Sequence, residues 1–472
     1  MKINKLHALL SLLSPAELRS LKDFVHSPIY NKNETLTQLL DYMVENWGNS
    51  EKITDETLFN IAYSNVPFDK TQLSRLRYNA FALVEQFIIF KEQKNYPIPT
   101  AMWLLNFYST HQQIDFFEKT AEKIQVYFAT NLRKDSQIEY ETFLVEEALA
   151  RFQTQSQQRE ILVHLPEMEE HLNVSFISRK LELACMALSR KKVLRSEFQP
   201  EMLAEVLQYV ETRPTLLAYP SVAVYFYLYK MLRFPEDTAY FAPTCEIIGK
   251  YAPHFRLEEQ KNLHAYLRNY CILQINQGQK AFEEALFGLF KAHLQADYLL
   301  NAAQKLHHTN FKNIVVLALR LGHIDWTADF LEKYRLLLPE NKQAETYQYC
   351  LARLYFAQKA FDSVCKILQN TDFEDIFFNI DARKLLLQTY YEQQEWALLD
   401  AGMNRFRVFL HRNKTISEAH KVGNRNFVNI LGKMVEHFPL KAAVSQDFEK
   451  LIQQTNPLAE KNWLLGQLAG NS

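Results

Sequence analysis

Gly322-His323-Ile324-Asp325-Trp326, Ala357-Gln358-Lys359-Ala360-Phe361 and Glu392-Gln393-Gln394-Glu395-Trp396 are three short polar turns, each closing on an aromatic residue and each preceded by an apolar run. Trp326, Phe361 and Trp396 stand 35 residues apart, so residues 311–411 contain one unit three times. Ten residues before each aromatic are Val316, Leu351 and Leu386; five before are Leu321, Phe356 and Tyr391. On a helix these offsets share a face. Each unit therefore reads as two helices. A helix pair with one apolar face buries it by stacking on the next pair, which is the logic of a solenoid.

The length of the unit and the aromatic opening of its second helix resemble a tetratricopeptide repeat. The small residue that motif places three positions after the aromatic is replaced by Asp329, Val364 and Leu399. The expected fold is all-α: a helical-repeat, tetratricopeptide-like α-solenoid preceded by a small N-terminal helical domain. Trp396 is expected between neighbouring helices. The boundaries read as an N-terminal helical domain over 1–94, an irregular helical-hairpin region over 100–310, the three repeats over 311–411, and C-terminal capping helices over 412–472.

Composition supports an almost wholly helical chain. Its 472 residues include only 10 glycines and 15 prolines, so loops are few and short. Lys plus Arg is 53 and Asp plus Glu is 54, so no global field draws the chain to nucleic acid or anionic lipid. Cys185, Cys245, Cys271, Cys350 and Cys365 are odd in number and widely spaced, and they read as reduced thiols. Leu6, Leu9, Leu10 and Leu13 form a helical stripe rather than a secretion signal, and the apolar run at 218–228 is too short to span a bilayer. A soluble cytoplasmic protein with no membrane partner is expected.

Toward the N-terminus, Ser14-Pro15-Ala16-Glu17 is a capping box, and Asn33 and Asp69 are further helix starts. Asn95-Tyr96-Pro97-Ile98-Pro99 reads as an extended link, because prolines disfavour helix in the residues before them. The polar run 153–158 reads as a loop. Val222 to Tyr229 has strand-like composition, but its helical surroundings favour a helix.

His26-Ser27-Pro28-Ile29-Tyr30-Asn31, Phe311-Lys312-Asn313-Ile314-Val315 and Phe406-Arg407-Val408-Phe409-Leu410-His411-Arg412-Asn413-Lys414 together resemble an uncharacterised family of bacterial all-helical proteins of about this length. The resemblance covers most of the chain and implies the architecture, with no activity, cofactor or ligand attached.

No G-x-G-x-x-G, phosphate-binding loop, nucleophile elbow or H-E-x-x-H is present. His164, Glu167, Glu170 and His171 read as a polar helix start rather than a metal site, and His307-His308 as a turn. Two basic clusters stand out. One comprises Arg179, Lys180, Arg190, Lys191, Lys192 and Arg195; the other runs from Arg405 to Arg425 and interleaves with Phe406 and Phe409.

The function expected is that of a non-catalytic protein-protein interaction or scaffold protein, using a helical-repeat groove for a protein or peptide partner. By the tetratricopeptide analogy, residues twelve and eight before each aromatic face that groove: Ile314, Tyr349 and Lys384, then Ala318, Arg353 and Gln388. Arg353 and Lys384 suit a carboxylate and Tyr349 an apolar contact. The alternative is a nucleic-acid-associated repeat protein using the cluster at 405–425. No cofactor and no metal is expected.

Overall fold

The computed structural model describes residues 5–47, 52–64, 66–155, 165–194, 198, 200–369, 373–436 and 441–469. Among them the chain is all-helical, its one extended pairing being an isolated bridge between Leu300 and Leu306. It divides into two compact units, Met1–Arg179 and Lys180–Ser472, and the division falls inside one long helix.

The first unit contains α1 (Lys5–Leu10), α2 (Pro15–Val25), α3 (Glu34–Glu45), α4 (Asp55–Ala62) and α5 (Lys70–Gln93) around one core from Leu6 to Phe87. The expected caps are present. Ser14 N–H donates to Glu17 Oε2 at 2.7 Å and Glu17 N–H donates back to Ser14 Oγ at 3.3 Å. Asn33 caps α3 and Asp69 caps α5.

The link expected at Asn95–Pro99 is instead the start of α6 (Pro97–Thr110). Prolines in a first turn lose nothing, because the N–H groups they lack have no intrahelical acceptor there. Next come α7 (Ile114–Thr130), α8 (Ser136–Gln155) and α9 (Leu165–Leu194). The loop expected at 153–158 is helical as far as Gln155, and its remainder lies outside the described residues.

The second unit continues with α10 (Leu203–Thr212), α11 (Pro220–Arg233), α12 (Phe241–Tyr251), α13 (Leu257–Asn276) and α14 (Ala281–Gln295). The strand-like run at Val222–Tyr229 lies inside α11, where almost every side chain is buried. The stretch expected to hold the three repeats comprises α15 (His308–Arg320), α16 (Ile324–Tyr334), α17 (Glu340–Ala357), α18 (Phe361–Leu368), α19 (Ile376–Glu392) and α20 (Trp396–Arg412). It is followed by α21 (Glu418–Glu436), α22 (Lys441–Gln454) and α23 (Lys461–Ala469). The first helices of successive pairs touch, α15 with α17 and α17 with α19. Gly402 lets α20 approach α19, since a Cβ there would meet Leu387 Cδ2 at 2.9 Å.

One turn closes the first helix of each pair. Gly322, Lys359 and Gln394 are left-handed, with φ of 82°, 58° and 58°. The following N–H groups, from His323, Ala360 and Glu395, each donate 2.9 Å back to the carbonyls of Ala318, Tyr355 and Tyr390. This is a Schellman closure. Gln112 between α6 and α7 and Gly278 between α13 and α14 do the same.

These turn residues correct the register. The second helices begin at Ile324, Phe361 and Trp396, so their starts are 37 residues and then 35 residues apart. Trp326 sits two positions inside its helix, whereas Phe361 and Trp396 open theirs. Trp396 is half-buried and packs edge-on against Tyr391, with ring centroids 5.8 Å apart. It is not enclosed between helices as expected.

Candidate functional site

Counting twelve and eight residues back from the true helix starts gives Lys312, Tyr349 and Lys384, then Val316, Arg353 and Gln388. Ile314 and Ala318, expected on this surface, are fully buried core residues. The two-residue offset of Trp326 turned them inward, because two positions on a helix rotate a side chain by about half a turn.

Lys312, Lys384 and Gln388 belong to one polar ladder. Lys312 Nζ lies 3.0 Å from Asp381 Oδ2, and Lys384 Nζ lies 3.0 Å from Asp381 Oδ1. Lys384 Nζ also lies 2.7 Å from Glu460 Oε1, and Gln388 Nε2 donates to Glu460 Oε2 at 3.2 Å. Burial pushes both carboxyls up, but Lys384 with Lys312 at Asp381, and Lys384 with Arg353 at Glu460, outweigh it and hold each below its usual range. Burial lowers Lys384, and the two carboxylates more than restore it. Asp381, Lys384 and Glu460 are therefore charged near neutrality.

Lys384, expected to grip a partner's carboxylate together with Arg353, instead pairs with a carboxylate of the chain itself, Glu460. Glu460 stands at the N-terminal end of α23, with its own φ at 54°. Holding a non-glycine residue there costs on the order of 1 kcal/mol, as at Met202 before α10. One turn on, Trp463 Nε1 donates to Glu392 Oε1 at 3.3 Å, and its ring meets Tyr391 at 5.5 Å. Gln467 Nε2 donates to the same Glu392 oxygen at 2.6 Å. Glu460, Trp463 and Gln467 form one helical face, matched along α19 by Lys384, Gln388, Tyr391 and Glu392.

Two polar groups beside this contact are left over. Arg353 makes no hydrogen bond or ion pair with any described residue, yet it borders both a pocket of about 560 Å³ with Val316, Arg320, Gln388, Glu460 and Trp463, and a neighbouring one of about 370 Å³. Gln388 is 1% exposed and its Oε1 has no partner among the described residues. Tyr349 is also 1% exposed, packed edge-on against Phe378 at 5.1 Å, so it is core and presents no apolar contact to a partner.

The other sequence candidates are dispersed. Phe406 is 1% exposed and Phe409 lies under the Arg383 guanidinium at 4.4 Å, so neither offers a stacking face within the 405–425 cluster. Arg425 pairs with Glu418 at 3.0 Å. In the other cluster Arg179 donates to Gln137 at 2.6 Å, while Arg195 and the side chains of Lys191 and Lys192 lie outside the described residues. His164 also lies outside them, and His171 pairs with Glu139 at 2.8 Å. His307 caps α15 by accepting from Thr309 N–H at 3.3 Å.

A second buried polar cluster went unnoticed in the sequence. Arg268 NH1 donates to His293 Nδ1 at 2.7 Å, which leaves His293 Nε2–H to donate to His264 Nδ1 at 3.0 Å. Burial first, and Arg268 second, push His264 down to about 4 and His293 to about 3. Among the described residues no helix is long and apolar enough to cross a membrane. Compared with protein-family models, with curated proteins and with solved structures, the chain matches none.

Proposed function

We propose that this chain is a non-catalytic interaction protein, a scaffold whose tetratricopeptide-like repeats offer a carboxylate-recognising groove along α15, α17 and α19 to a protein or peptide partner. The observation that carries the reading is Arg353, a cation beside the groove that is bound to no described residue while its neighbours Lys384 and Gln388 already hold a carboxylate. A guanidinium with free donors next to an occupied carboxylate site suits a second acidic group, held in bidentate fashion. Lys312 and Lys384 add positive charge on the same side, although Asp381 neutralises part of it.

The test is affinity purification of the full-length chain and of Arg353→Ala from the source cell, at low and high salt and after nuclease treatment. A stoichiometric protein retained by wild type through salt and nuclease, and lost from Arg353→Ala, is the expected result. Equal recovery by both chains would remove the groove assignment. Recovery of nucleic acid alone, and only at low salt, would transfer the function to the basic cluster at 405–425.

A further inference from the structure

We infer that α23 is the groove's resident ligand, and that the groove accepts in its place a partner helix of the same chemistry: a carboxylate at the helix N-terminus, an aromatic ring one turn later and an amide one turn beyond that. The inference rests on the interaction reading above and specifies its partner. Glu460, Trp463 and Gln467 show what the site selects, because each meets a complementary group on α19: Lys384 with Gln388, Tyr391 with Glu392, and Glu392 again. The contact with α19 is made by side chains through one helical face, as a peptide helix lies in a receptor groove, while Leu464 on another face packs into the core with Phe427 and Leu431.

Two features suit replacement. Gln388 Oε1 is buried and unpaired while α23 is docked, so α23 leaves part of the site's hydrogen-bonding capacity unused. Arg353 likewise stands beside Glu460 with its donors unengaged by any described residue. A partner carrying a second acidic group near its helix start would satisfy groups that α23 does not. The tethered segment competes at an effective concentration on the order of millimolar, so a partner with only equal contacts is held off and a better one is admitted.

The experiment uses the full-length chain and, as probe, a labelled peptide of residues 455–469 of this sequence, followed by fluorescence polarisation. Wild type is expected to bind the peptide weakly, and the Glu460→Gln/Trp463→Ala chain, whose own α23 is loosened, at least tenfold more tightly. A peptide carrying Glu460→Gln should lose most of that gain. Hydrogen exchange on the wild-type chain reports the same event without a variant: excess peptide should speed exchange of the amides at 464–469 while those of α19 stay protected. Equal affinity of both chains for the peptide, or exchange at 464–469 that the peptide leaves unchanged, would overturn the inference. Reversible dimers of wild type that the peptide dissociates would assign the groove to a second copy and overturn the partner identified here. If the peptide binds as expected but Arg353→Ala loses no cellular partner, the resident-ligand inference stands and the functional reading fails.

Discussion

Glu460 Oε1 meets Lys384 Nζ at 2.7 Å across 76 positions of sequence, and the two side chains are only 21% and 13% exposed. Removing one member of such a pair leaves the other charge poorly solvated, whereas removing both restores a neutral contact. Glu460→Gln and Lys384→Met are each expected to cost about 1 to 3 kcal/mol, with the double variant costing clearly less than their sum. Denaturant titration of the four chains measures the coupling; additive losses would mean that the pair is worth nothing to the docked state.

The left-handed turn residues give a prediction of the opposite sign. Lys359 and Gln394 hold φ at 58° where Gly322, the equivalent residue of the preceding pair, is a glycine. Glycine tolerates that backbone without a Cβ penalty, at some cost in unfolded-chain entropy. Lys359→Gly and Gln394→Gly are each expected to stabilise by about 0.5 to 1 kcal/mol, and Gly322→Ala to destabilise by about 1 kcal/mol. A rise in denaturation midpoint at unchanged slope is the readout.

The same turns explain what was legible. Helix content, the caps at Ser14, Asn33 and Asp69, and the pairing of helices from α15 to α20 follow from periodicity and from side chains that satisfy backbone groups within three residues. The register failed at its first unit because an aromatic marks a helix face whereas a left-handed residue marks the turn. Trp326 and Phe361 look alike in sequence but sit two positions apart in the helix. Gly322 carried the correct signal, although Lys359 and Gln394 do not repeat it. The tetratricopeptide analogy points to Lys384 as a carboxylate-binding residue, and Lys384 does meet a carboxylate, although one from the same chain. Glu460 was not legible, since no local pattern links α23 to a helix more than seventy residues earlier. Asp381 was missed for a similar reason: its role depends on Lys312, 69 positions away.

The buried histidines predict a pH dependence away from the Lys384–Glu460 contact. His264 and His293 are neutral in the folded chain down to about 4 and about 3, while in the unfolded chain they take up protons below about 6.5. The unfolded state therefore binds more protons across that window, and stability falls as pH drops from about 6.5 toward about 4. Denaturation midpoints at about pH 7 and about pH 5 measure it, and the His264→Phe/His293→Leu chain should show a flatter profile. A wild-type profile already flat over that range would mean that the pair accepts protons in the folded state.

Phe406 and Trp396, both on α20, separate core from turn. Phe406 is 1% exposed within a core that includes Leu399, Met403, Leu410, Phe427 and Leu431, so Phe406→Ala leaves a cavity and is expected to cost about 3 to 5 kcal/mol. Trp396 is half-buried at the start of the helix, edge-on to Tyr391 and at the margin of the same core, so Trp396→Ala removes less packing and should cost about 1 to 3 kcal/mol. The order of the two losses tests the corrected register. Greater damage from Trp396→Ala would place the indole between helices and return the repeat to a uniform 35 residues. Greater damage from Phe406→Ala keeps Phe406 in the core, where no base could stack on it.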